Sequence, residues 1–235
     1  MQAFLYGVGI TMLYIIVAAG VMLTARFLIT IPDELFRKIL HFILLGAYIP
    51  VLFAFEFWWM AAVFAVSLIV VFFPALALAE RIPHFSSFVN ERKAGEYKSS
   101  MALAIGMMAF SITVCWGWLE DRYLVLASVY AWGVGDAFAA LIGKSFGRHK
   151  IKWKWADSHK SYEGSAAMFL CSFLSVTVVL LLRGGMGPMM CMGIALAAAV
   201  VCTAAELWAK NGLDTVICPA CAMAVILPLT ELLGG

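Results

Sequence analysis

The chain has 235 residues, of which 64% are hydrophobic and only 13% charged, and its net charge is +2. A soluble fold of this size has too little interior for so many apolar side chains, because small domains keep much of their surface in water. A water-soluble enzyme, a secreted disulfide scaffold and a disordered chain are excluded, and so small a net charge gives no case for nucleic acid.

A helix needs about 20 apolar residues to cross the hydrocarbon of a bilayer. Eight stretches qualify: 4–29, 39–57, 58–79, 101–118, 123–142, 164–182, 186–207 and 215–233. They are continuous runs, not the short alternating segments of a membrane barrel. The predicted fold is all-α, a polytopic membrane bundle of about eight helices forming a single domain over 1–235. The first stretch has no basic segment before it and is longer than a signal-peptide core, so it is expected to stay as the first helix.

The second stretch opens on Arg37, Lys38 and His41. Spacings of three and four residues put them on neighbouring helix positions, where they can face one mouth. A tight turn at Glu56-Phe57-Trp58-Trp59 leads into the third stretch, and a charged loop over 80–100 follows it. In the fifth stretch, Asp136 lies inside an apolar helix with Gly133 and Gly135 beside it. A charge at that depth is costly and calls for a functional reading.

The loop over 143–163 carries Gly143, Lys144, Gly147, Arg148, His149 and Lys150, then Lys160, Glu163 and Gly164. Gly143-Lys144-Ser145 suggests a P-loop, but that motif wants glycine at position 138, which is Phe. A different phosphate cradle fits, with glycine backbone N–H groups and the cations Lys144, Arg148, Lys150 and Lys160. Trp153 and Trp155 read as interfacial anchors. Glu206 ends the seventh stretch four residues before Lys210, with which it can pair, and Asp214 can cap the last helix. The six cysteines are scattered through apolar helices and read as small buried hydrophobes, Cys218-x-x-Cys221 included. Neither an internal repeat nor a low-complexity segment is visible.

Eight crossings place all the Lys and Arg residues on one face except Arg122 and Arg183. The positive-inside rule makes that face cytoplasmic and both termini non-cytoplasmic. Asp136, Glu163, Glu206 and Asp214 gather toward the same face, among Arg37, His41, Lys144 and Lys160. Hard carboxylate oxygens suit Mg²⁺ with substrate phosphates, and no Cys/His cluster offers a zinc site. The pattern points to phosphoryl or nucleotidyl transfer onto a lipid.

The blocks Arg37-Lys38-x-x-His41, Gly135-Asp136-Ala-x-Ala-Ala-x-x-Gly143-Lys-x-x-Gly147-x-x-Lys150, Lys160-Ser-x-Glu163-Gly164-Ser and Glu206…Asp214-x-x-x-x-Pro219 follow in order. Together they resemble the CTP-dependent lipid-alcohol kinases, the family of dolichol kinase, phytol kinase and the yeast-type diacylglycerol kinase, over 37–235. That family often has Asp-Asn where this chain has Asp214-Thr215.

The resemblance implies transfer of the γ-phosphoryl of CTP to a lipid hydroxyl. On this reading Asp136, Glu163 and Asp214 are the metal carboxylates, or Asp136 accepts the hydroxyl proton. Lys144 and Lys160 clamp phosphate beside Gly143, Gly147 and Gly164, and Arg37 and His41 bind phosphate or orient the hydroxyl. Lys38, Arg148, Lys150 and Glu206 are secondary candidates. The partners implied are the nucleotide, a lipid alcohol and membrane lipid, with an oligomer compatible. The alternatives are a phosphatidate cytidylyltransferase-like synthesis of CDP-lipid and a transporter using Asp136 for ion coupling.

Overall fold

Polar residues set where the apolar helices begin and end in the structure, a computed structural model that describes residues 1–79, 96–153, 160–209 and 212–234. Most of the expected loop over 80–100, together with Lys154, Trp155, His159 and Lys210, lies outside these residues. Among the described residues seven helical spans are long and apolar enough to cross a membrane, and Trp58–Pro74 is a shorter apolar helix. Among the described residues there is no β-strand, only one isolated bridge between Lys150 and Ser161. The chain divides into two compact units, Met1–Trp118 and Leu119–Gly235.

The first unit holds α1 (Gln2–Leu28), α2 (Asp33–Gly46), α3 (Tyr48–Phe53), α4 (Trp58–Ala79) and α5 (Glu96–Ser111), the last running into a π-helical stretch, Ile112–Trp118. Helix α2 starts six residues before the apolar run at 39, because its first turns are charged. Asp33 and Glu34 in the first turn complement the helix dipole. The break between α2 and α3 follows from Pro50, which has no N–H for the carbonyl of Gly46. Small residues let α1 approach α2 and α3. A Cβ on Gly7 would lie 2.7 Å from the Phe55 ring, and Tyr14 crosses above Gly46 to donate its hydroxyl to the Ile43 carbonyl at 3.1 Å.

The second unit is a four-helix bundle of α6 (Arg122–Ser145), α7 (Tyr162–Arg183), α8 (Pro188–Trp208) and α9 (Asp214–Gly234). Each helix packs on the next in the chain, and α9 closes the ring against α6. Helix α6 is the central member: 56% of its apolar window is buried, against 33% for each of the other three. Its Gly135 is required by contact, since a Cβ there would sit 2.5 Å from both Met168 Sδ and Ser172 Oγ of α7. Ser172 and Ser175 donate across to the carbonyls of Ala131 and Tyr130 at 2.5 and 3.2 Å, so polar groups help join two helices that lipid alone would not press together.

A second fastening lies at the far end of this hairpin. Asp121 caps α6, accepting from the N–H groups of Tyr123 and Leu124 at 2.8 and 3.3 Å, and its other oxygen pairs with Arg183 Nε at the end of α7. Both side chains are largely withdrawn from solvent, so removing one leaves the other a half-buried charge. Asp121→Ala is expected to cost about 3 kcal/mol, from a lost cap and a broken ion pair. Thermal unfolding in detergent measures it, and a loss below about 0.5 kcal/mol, the scale of an exposed pair, contradicts the clamp.

Candidate active site

Helix direction alternates along the second unit. The end of α6, the start of α7, the end of α8 and the start of α9 therefore meet at one end of the bundle. Asp136 is on α6, about 14 Å before that helix ends at 1.5 Å per residue, and it is half-buried. Glu206 is buried two residues before the end of α8, and Asp214 opens α9. Glu206 lies within the electrostatic reach of Asp136, Asp214 and Lys160. Trp132, one helical turn before Asp136, directs its indole N–H at Asp214 Oδ2, 3.5 Å away. That link between α6 and α9 had no signal in the sequence.

Lys160 reaches across to Glu206. Its ammonium lies 3.0 Å from Glu206 Oε1 and also donates to the main-chain carbonyl of Glu206. Both side chains are mostly shielded, 17% and 12% exposed, so this is an ion pair in a low-dielectric setting. The pairing of Glu206 with Lys210 lies outside the described residues.

The segment between α6 and α7 is folded back on itself. The Ile151 N–H donates to the Lys160 carbonyl and the Tyr162 N–H to the His149 carbonyl, both at 3.0 Å. Glu163, in the first turn of α7, accepts from the Arg148 N–H at 3.2 Å and from the His149 N–H at 3.2 and 3.3 Å. It also bonds His149 Nδ1 at 2.7 Å. The Glu163 carboxylate is thus tied to the loop that carries Arg148 and Lys150. Ser161 caps α7 by accepting from the Gly164 N–H at 3.2 Å, a start signal readable as Ser before a helical apolar run.

The glycines of this segment have a packing reason of their own. A Cβ on Gly164 would come within 3.0 Å of the Ala139 carbonyl, and one on Gly143 within 3.3 Å of Ser161 Oγ. A Cβ on Gly147 would strike the Gly143 carbonyl. These three residues let α6 and α7 cross backbone to backbone beside Ser161. Lys144, Arg148 and Lys150 are exposed around the crossing, Lys144 in the last turn of α6, where a cation suits the dipole.

The remaining candidates belong to the first unit. Arg37 pairs with Glu34 one turn back at 2.6 Å, Lys38 is buried, and His41 stands edge-on to Phe42 with ring centroids 6.4 Å apart. Among the described residues no group of three His, Cys, Asp or Glu side chains is gathered closely enough to hold a metal ion by itself.

Over 220 residues the chain is 31% identical to the phytol kinase of Synechocystis sp., an alignment that covers 90% of this chain and 86% of that protein. No family model matches the chain, and no solved structure does.

Proposed function

This chain belongs to the lipid-alcohol kinase family that includes phytol kinase, and from that premise we propose that it moves the γ-phosphoryl group of CTP onto the hydroxyl of a phytol-like or polyprenyl alcohol. The observation that carries the reading is the shielded Lys160–Glu206 ion pair, with Asp136 and Asp214 within electrostatic reach of Glu206. Carboxylates and a cation at the edge of an apolar bundle suit a substrate with an apolar tail and a hydroxyl head. The excess of basic residues on one side supports a site that faces the cytoplasm of a bacterial inner membrane.

The reaction divides among the chain's own groups. The lipid oxygen bonds to the γ-phosphorus while the bond from that phosphorus to the β–γ bridging oxygen breaks, and CDP leaves with the electron pair. Asp136, half-buried and in the field of its neighbours, accepts the hydroxyl proton. Lys160 meets the phosphate oxygens, and positioning with charge neutralisation is the main task in such a transfer. Lys144 and Arg148, exposed at the same end, draw the triphosphate in.

Mg²⁺ fits this donor set, because it usually takes one or two carboxylates with phosphate oxygens and water, and three assembled side chains are not needed. Asp214 would hold it, and the ion would supply charge neutralisation on the triphosphate. Glu163, a third metal candidate by sequence, has its carboxylate engaged by Arg148 and His149, so here it orders the loop. Asp214→Asn is then expected to raise the Mg²⁺ concentration for half-maximal activity about tenfold, as for one lost hard ligand, with activity recovering at high Mg²⁺. A loss that no Mg²⁺ concentration restores contradicts that role.

Purified protein with CTP, Mg²⁺ and a panel of phytol, polyprenol and diacylglycerol tests the whole reading. It predicts lipid monophosphate and CDP in equal amounts. Pyrophosphate with a CDP-lipid, formed when phosphatidate is added to the panel, would make the chain a cytidylyltransferase instead.

A further inference from the structure

Lys160 is fixed at both ends. Its backbone carbonyl is held by the Ile151 N–H at 3.0 Å, immediately before the Ser161 cap of α7. Its side chain extends to α8 and ends 3.0 Å from the Glu206 carboxylate, with the main-chain carbonyl of the same residue as a second acceptor. A lysine chain has four rotatable carbons and in water spreads its ammonium over a wide volume. Here two acceptors on one residue hold it at one point beside α8.

We infer that Glu206 is a positioning residue: it sets where the Lys160 ammonium meets the phosphate, and takes no part in proton transfer or substrate contact itself. The inference rests on the proposed kinase reading for its catalytic consequence, but not for its structural one. Three physical points support it. Glu206 is buried, with 9% of its surface exposed, so its carboxylate is poorly placed to reach a ligand entering from the loop side. The ion pair is shielded on both partners, and a shielded pair is held far more firmly than a surface one. Glu206 also ends α8 while Lys160 precedes α7, so the pair joins a helix end to the loop that carries the other cations.

The test combines amine labelling with a double-mutant cycle on the full-length protein in detergent. Acetylation by an N-hydroxysuccinimide ester is read by peptide mass spectrometry at Lys160, relative to exposed Lys152. Glu206→Gln keeps shape and an acceptor but removes the charge, so it limits damage to the fold. It is expected to raise labelling of Lys160 roughly fivefold, and Glu206→Ala to raise it further, since an ammonium without its shielded partner leaves for water. For phosphorylation of the lipid alcohol, Glu206→Gln is expected to lower kcat/KM about tenfold in the native background and less than about twofold once Lys160→Gln is present, the signature of one residue acting through another.

Unchanged labelling in both Glu206 variants overturns the inference, whatever the activity. An equal loss from Glu206→Gln with and without Lys160 overturns it too. Absence of lipid phosphorylation by the native protein counts against the kinase reading alone, and the labelling result still decides the role of Glu206.

Discussion

Asp136→Asn is expected to lower the rate of lipid phosphorylation by about a thousandfold, or roughly 4 kcal/mol of transition-state stabilisation. The amide has nearly the shape of the carboxylate, so the packing of α6 around Gly135 survives and the protein keeps its helical content. The loss is expected in kcat, with KM for CTP changed little, because the residue acts on the hydroxyl proton and not on the nucleotide. Added Mg²⁺ is not expected to restore the variant, which separates it from Asp214→Asn. Circular dichroism and turnover on one preparation check the two halves together. A folded variant with full activity contradicts the placement of the chemistry at this carboxylate.

Lys160→Gln is the second large effect, a loss of about a hundredfold in kcat/KM, the scale of one removed charge-stabilising donor in a desolvated site. The change also leaves Glu206 buried without its cation, beside Asp136 and Asp214. Stability is therefore expected to fall by about 3 kcal/mol, and activity is best measured well below the melting temperature. Arg at this position restores charge but not fit, because its broad planar head cannot take the same point between the carboxylate and the carbonyl of Glu206. Lys160→Arg is therefore expected to fall between the two. A Gln variant as active as the native protein contradicts the clamp.

The helices were legible because their signal is local. The expected 123–142 and 215–233 become Arg122–Ser145 and Asp214–Gly234, differences of a few residues set by caps such as Asp121. The apolar run at 39 begins six residues after α2 does, for the same reason in reverse: Arg37 and Lys38 were read as opening the helix, but hydropathy does not register the turn that carries Asp33 and Glu34. Site chemistry was legible as residue types, since a charge amid apolar sequence stands out, and Lys160 does pair with Glu206.

What the sequence does not carry is the choice of partner across distance. Lys160 and Glu206 are 46 residues apart, and Lys210 stood nearer in the chain. Trp132 and Asp214 are 82 apart, and only the closure of α9 against α6 makes them neighbours. Gly143, Gly147 and Gly164 illustrate a different ambiguity, because a glycine that could approach phosphate and one that lets two helices touch look alike in sequence.

The central claim is that the γ-phosphoryl group, and no other part of the nucleotide, passes to a lipid hydroxyl. Native protein in nanodiscs given phytol, Mg²⁺ and CTP labelled in the γ or the α phosphate tests it directly. The account predicts label in the lipid fraction from γ-labelled CTP alone. Label from the α phosphate, or none from either, would contradict it.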